Sequence, residues 1–149
     1  MSWAWGNISK YRMNGVYPFL AECANLTLED SKIDLTITWM GGVRNAKQQN
    51  DIFKQGNSKC DGYKVLSYHQ IEASYTGYGM ALDIRPVGWQ NMNRKTLNRW
   101  QNYIGRLMLT NWQELVFKYA QQGKDIGVMV WGGTFGSTSW DRPHYEIRV

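Results

Sequence analysis

Cysteine is nearly absent. Cys23 and Cys60 are the two in 149 residues, too few and too far apart for a disulfide framework, and no CxxC pair is present to hold zinc through thiolates. A reduced, cytosolic chain is the simpler expectation. No run of about eighteen apolar residues occurs, so neither a membrane-crossing helix nor membrane insertion is expected. The N-terminal Met1-Ser2-Trp3-Ala4-Trp5-Gly6-Asn7 lacks a basic stretch followed by an apolar one and does not read as a secretory signal. Blocks of like charge are missing too. The basic residues behind a net charge of +5 are dispersed, which argues against a nucleic-acid-binding arm and leaves a membrane surface or a bacterial envelope polymer as the anionic partners that charge suggests. There is no internal repeat and no low-complexity stretch. With 43% hydrophobic and 19% charged residues, the composition is that of a folded protein. Its length is that of one domain, so residues 1–149 are expected to form a single monomeric unit with no second module.

Histidine is the other scarce residue, and its placement is informative. His69 follows Ser67-Tyr68, upstream of Gly79-Met80-Ala81-Leu82-Asp83, and His144 follows Asp141-Arg142-Pro143. Taken singly, a histidine is more often a core or surface residue than a ligand. Two imidazoles and an aspartate together can bind zinc and leave one position open for water, as catalytic zinc sites do.

Periodicity places these residues on elements. Pro18 can open a helix at its first position, with Leu20, Cys23, Ala24 and Leu28 at helical spacing and an end near Asp30. From Ile33 the pattern turns to alternation, with Ile33, Leu35, Ile37 and Trp39 apolar, which predicts a half-buried strand turned at Gly41-Gly42. A short helix is expected from Asn45 to Gln55, stopped by Gly56, and residues 57–68 read as an ordered loop. Met80, Leu82 and Ile84 alternate with Ala81, Asp83 and Arg85, so a second strand carries Asp83 on its polar side. The longest helical pattern lies between Asn93 and Gly123, and Thr110-Asn111 marks a point where it can divide. Gly127 to Trp131 and His144 to Val149 complete the strands, the last with His144, Glu146 and Arg148 on one face. The expected architecture is α+β: a small, mainly antiparallel sheet with helices packed on one side and the zinc site at the sheet.

Ser67-x-His69, Gly79-x-Ala81-x-Asp83 and Asp141-x-x-His144 resemble, in order, the signature SxHxxGxAxD and the later carboxylate and histidine of the M15 zinc peptidases. Within that family the chain is most similar to phage endolysins of the L-alanyl-D-glutamate peptidase type. Gly15-Val16-Tyr17-Pro18, Ile33 to Thr38, Gly42-Val43-Arg44 with Gln48-Gln49, Gln55 to Lys59, Trp131-Gly132-Gly133 and Asp141 to Glu146 carry the likeness. One departure stands out. His69 and Asp83 are fourteen positions apart, and the added length falls in Gln70 to Tyr78, which is expected to loop out as a lip beside the metal because both its ends are tied to ligands.

The resemblance implies Zn2+ held by His69, Asp83 and His144, with Asp141 as general base and Arg44 stabilising the oxyanion or holding a substrate carboxylate. Ser67, Gln49, Glu146, which shares a strand face with His144, and Trp140 are the further candidates, for supporting the ligands or touching substrate. The substrate that the resemblance implies is the peptidoglycan stem peptide, cut at the L-Ala–D-Glu amide to lyse the wall. On this reading the protein waits in the host cytoplasm until a holin opens the membrane. A D,D-carboxypeptidase or dipeptidase, and a catalytically silent wall-binding protein, are the alternatives.

Overall fold

In a computed structural model, which describes residues 3–136 and 141–149, the alternating segments pair into one antiparallel sheet. Its strands are β1 (Leu35–Ile37), β2 (Ala81–Pro86), β3 (Val128–Trp131) and β4 (His144–Arg148), in the spatial order β1-β2-β4-β3. Proline at the first turn starts helix α2 (Pro18–Asp30), which follows the short α1 (Asn7–Arg12). Helix α3 (Ala46–Lys54) opens with a capping box, in which the Gln48 N–H donates to Asn45 Oδ1 and the Asn45 N–H to Gln48 Oε1. Helix α4 (Arg94–Ala120) is capped by Asn93, whose Oδ1 accepts from the Thr96 N–H.

The two long helices cover one face of the sheet. Leu20, Cys23 and Leu28 of α2 and Ile104, Met108 and Trp112 of α4 close over Leu82, Ile84, Tyr145 and Ile147, all essentially fully buried. The expected α+β class, with helices on one side of a small antiparallel sheet, is what the chain adopts. α4 does not divide at Thr110-Asn111. The buried Asn111 amide donates to Thr27 Oγ1 of α2 at 3.1 Å, so the polar residue that looked like a break is a tie between helices.

One local expectation fails for a physical reason, and one element went unread. The first strand stops at Ile37, and Trp39, expected on its apolar side, is 66% exposed. The chain turns there, with the Gly41 N–H donating to Thr38 O and Met40 held at φ +59°, a left-handed conformation that ends the pleat. The helix α1 had no apolar periodicity to announce it. It covers the open edge of β1 through polar groups: the Ile37 N–H donates to Ser9 Oγ and an Arg12 Nη1–H to Ile37 O.

Candidate metal centre

The β2–β4 register sets Asp83 directly opposite His144 on the sheet face away from the helices. Side chains so paired are neighbours. Asp83 Oδ1 and His144 Nδ1 stand 3.0 Å apart. His69 arrives from the loop before β2. That loop is pinned on both sides, since the Arg44 N–H donates to His69 O, the Met80 N–H to Tyr68 O, and the His69 N–H to Ser67 Oγ. His69 Nε2 then lies 3.2 Å from Asp83 Oδ1 and 3.2 Å from His144 Nδ1.

The outer nitrogens decide which atoms face inward. His69 Nδ1 is 2.8 Å from Gly42 O, a carbonyl that can only accept, so the proton is on Nδ1 and the lone pair of Nε2 points into the cluster. His144 Nε2 is likewise 2.8 Å from Glu146 Oε1, so its Nε2–H donates there and Nδ1 faces Asp83. Glu146 is in turn held by the Arg148 Nε–H on its other oxygen. A tetrahedral zinc ion with bonds of ~2.0–2.1 Å to nitrogen and oxygen separates its ligand atoms by ~3.3 Å. His69 Nε2, Asp83 Oδ1 and His144 Nδ1 already stand at 3.0–3.2 Å, so the donor set fits zinc. They form the His-and-carboxylate group with metal-ligand spacing among the described residues.

Charge balance fits the same picture. Burial would lower the pKa of His144, yet bonds to Asp83 and Glu146 push it up to about 10. Without a metal, a proton on Nδ1 therefore occupies the ligand position that a cation would take. Burial lowers the pKa of His69 and keeps that ring neutral. Asp83 sits well below the usual carboxylate range despite its burial, because the two imidazoles surround it.

Arg44 is close by, and it is already engaged. Its Nη2–H donates to Asp83 Oδ2 at 3.0 Å, its Nη1–H to Gln49 Oε1 at 3.0 Å and its Nε–H to Met40 O at 2.6 Å. The buried Gln49 donates onward to Ser58 Oγ and Cys60 O. It therefore fixes Arg44 and the 58–60 loop from behind. Arg44, Ser67 and Glu146 all line the cleft of about 200 Å³ over the three ligands, and Gln49 does not.

Asp141 lines the same cleft. Burial, and then the charge of Asp83, raise its carboxyl to about 6, close to where a group that both takes and gives protons works best. Its backbone is held by contacts that no motif announces. The Trp131 Nε1–H donates to Arg142 O at 2.6 Å, and the His144 N–H to Asp141 O. A Cβ on Gly132 would meet Asp141 O at 1.9 Å and one on Gly105 would meet the Trp131 ring at 2.5 Å, so both glycines are there for close approach. Gly42 answers to the same reasoning, since a Cβ there would meet Arg12 O of α1 at 1.7 Å. These glycines were the available signal.

The remaining expectations divide. Trp140 lies outside the described residues. The 70–78 segment, expected as a lip beside the metal, contributes nothing to the cleft: none of its residues lines it. Its exit is drawn elsewhere by a parallel bridge between Val16 and Gly79, the Thr76 hydroxyl donates to Met80 Sδ, and the Tyr78 ring lies 6.3 Å from that of Tyr17.

A sequence model of M15 peptidases, described as D-alanyl-D-alanine carboxypeptidase, matches residues 62–147, a span that includes His69, Asp83, Asp141 and His144. Among solved structures the chain is similar to the L-Ala D-Glu endopeptidase ChiX of Serratia marcescens, with 17% identity, a TM-score of 0.60, and 97% of this chain and 90% of that one covered. At that identity the likeness speaks for the fold. No curated protein matches the chain.

Proposed function

The chain belongs to the M15 peptidase family, and from that premise we propose that it is a zinc-dependent endopeptidase that cuts the L-Ala–D-Glu amide of peptidoglycan stem peptides, in the manner of a phage endolysin. The observation that carries the peptidase chemistry is the triangle of His69, Asp83 and His144, with Asp141 in the same cleft. The choice of bond rests on the sequence blocks shared with L-alanyl-D-glutamate peptidases. The endolysin setting, with the protein held in the host cytoplasm and released to the wall by a holin, belongs to the same proposal, and a net charge of +5 suits an anionic envelope.

Zinc held by the three ligands would acidify its bound water and polarise the scissile carbonyl. The chain's own residues supply the rest. Asp141 accepts the proton of the attacking water and, with a carboxyl near 6, can return it to the leaving amine. Arg44 orients Asp83 through Oδ2, so that Oδ1 stays turned toward the histidines. Glu146, held by Arg148, fixes the ring of His144, and Gly42 O fixes that of His69.

The family description favours a second reading, a D,D-carboxypeptidase. That reaction differs in having to recognise a free terminal carboxylate on its substrate. Mass spectrometry of muropeptides after incubation with the purified protein separates the readings. New D-Glu amino termini are expected. Loss of terminal D-alanine instead would make it a carboxypeptidase, and bound zinc with no product would make it a silent wall binder.

A further inference from the structure

A groove of about 680 Å³ lies between the end of β2, the 3₁₀ turn Trp89–Asn91, the first two turns of α4 and the Arg142-Pro143 bend. Three arginines line it, Arg85, Arg94 and Arg142, and no carboxylate does. Arg85 is half-buried and stacks on Trp89, with its guanidinium carbon 4.2 Å from the ring centre, a contact that holds the fork in place. Arg142 is oriented by Asn102, whose Oδ1 accepts from the Arg142 Nε–H. Arg94 opens α4, so the positive end of a 27-residue helix adds to the same field. Gln101, only 4% exposed, also lines the groove, and its amide oxygen has no partner among the described residues. A half-turn about its last torsion exchanges donor and acceptor, so it can serve either an N–H or a C=O of a bound chain.

The groove and the metal cleft share no lining residue, but they adjoin along the chain. Arg85 follows Asp83 by two residues on the same face of β2, a step of ~7 Å, and Arg142 adjoins Asp141. Asp83 and Asp141 are near enough to act on the charge of Arg85. An extended peptide lying across the metal cleft covers the same step with two of its own residues.

We propose that this groove is an anion-binding subsite that takes the carboxylate-bearing arm of the substrate on one side of the scissile amide. The assignment rests on the reading of the neighbouring cleft as a peptidoglycan peptidase, since that substrate carries free carboxylates close to the bond that is cut. Acidic stem peptides are then bound through charge-assisted, forked hydrogen bonds, and peptides whose carboxylates are amidated are bound poorly.

The test compares L-Ala-γ-D-Glu-L-Lys with L-Ala-γ-D-isoGln-L-Lys, each carried on muramic acid, in wild type and in Arg85→Gln, Arg94→Gln and Arg85→Lys. Wild type should show a KM about tenfold or more lower for the acid, with similar kcat, the scale of hydrogen bonds to charged groups. Arg85→Gln and the exposed Arg94→Gln should erase that preference while zinc content, kcat and the turnover of the amidated peptide hold. Arg85→Lys should restore part of it. A preference that survives both Gln variants, or an equal loss on both peptides, would overturn the proposal. If wild type cleaves neither peptide, the function proposed above fails, and calorimetric titration of the same peptides still reads the groove. Tighter binding of the acid that disappears in Arg94→Gln supports the subsite, and equal or undetectable binding sinks it. Displacement of the peptide by poly(glycerol phosphate), with amidation making no difference, would assign the groove to wall phosphates and likewise refute a carboxylate subsite.

Discussion

The two faces of the β2–β4 pair share one backbone and one register, yet they are held by opposite means. On the helix side Leu82 faces Tyr145, with Ile84 and Ile147 beside them, and area removed from water does the holding. On the other side Asp83 faces His144 and Ala81 faces Glu146, and nearly every polar atom has a named partner at 2.8–3.2 Å. The apolar face tolerates changes of shape at a graded cost. The polar face does not, because removing one member leaves another buried group unpaired. Changes on the apolar face should therefore cost stability and spare the chemistry, whereas changes on the polar face should cost the chemistry first.

The strongest way to break that division is His69→Ala. It removes a ligand from the polar face alone, so zinc content measured by elemental analysis and turnover on purified peptidoglycan should both fall to background, with circular dichroism unchanged. Full zinc occupancy in this variant would remove the proposed centre.

Next in size is Asp141→Asn. Loss of the base should lower turnover by a factor of ~10²–10⁴ with zinc retained. The same residue sets a pH dependence. The base form accumulates above its pKa and is lost below it, so with a carboxyl raised to about 6, kcat/KM should decline as pH falls through about 6, or lower once a bound cation stabilises the carboxylate. Asp141→Asn should lack that acid limb. A limb that persists unchanged in the variant would transfer the role to another group.

Glu146→Gln should cost less. The residue touches His144 and not the inner atoms, so a loss of ~10–100-fold in metal affinity or activity is expected, read by competition with a zinc chelator. A loss as large as that of Asp141→Asn would make Glu146 the base instead.

Leu82→Ala should leave the chemistry nearly untouched. Its side chain is fully buried on the helix face, and the truncation should cost ~2–5 kcal/mol in chemical denaturation, while the molecules still folded keep their zinc and their turnover. Loss of zinc from the folded fraction would show the two faces to be coupled.

Much of the site was legible in the sequence because strand periodicity is local. Alternation in Met80 to Arg85 and in His144 to Val149 was enough to put Asp83, His144 and Glu146 on polar faces and Leu82, Ile84 and Ile147 on the core side. The cap of α3 and the proline start of α2 are likewise contained within a few residues. Trp39 and the helix α1 were misread or missed where tertiary contacts overrode the pattern. Trp39 lies past a turn that ends the strand early, and α1 is held by polar bonds to the edge of β1.

The sequence by itself determined which residue types could meet and which side of each strand they occupy, because side-chain direction along a strand follows from the backbone pleat. Only the tertiary structure decided that Asp83 pairs with His144 and not with a residue one step away. It also committed Arg44 to Asp83 Oδ2, carried the 70–78 segment toward Tyr17 instead of the cleft, and joined three arginines from β2, α4 and the Arg142-Pro143 bend into one groove. Each of these depends on register and on contacts between segments distant in the chain, which are set by how the two long helices and the sheet pack together, and no local pattern carries that information.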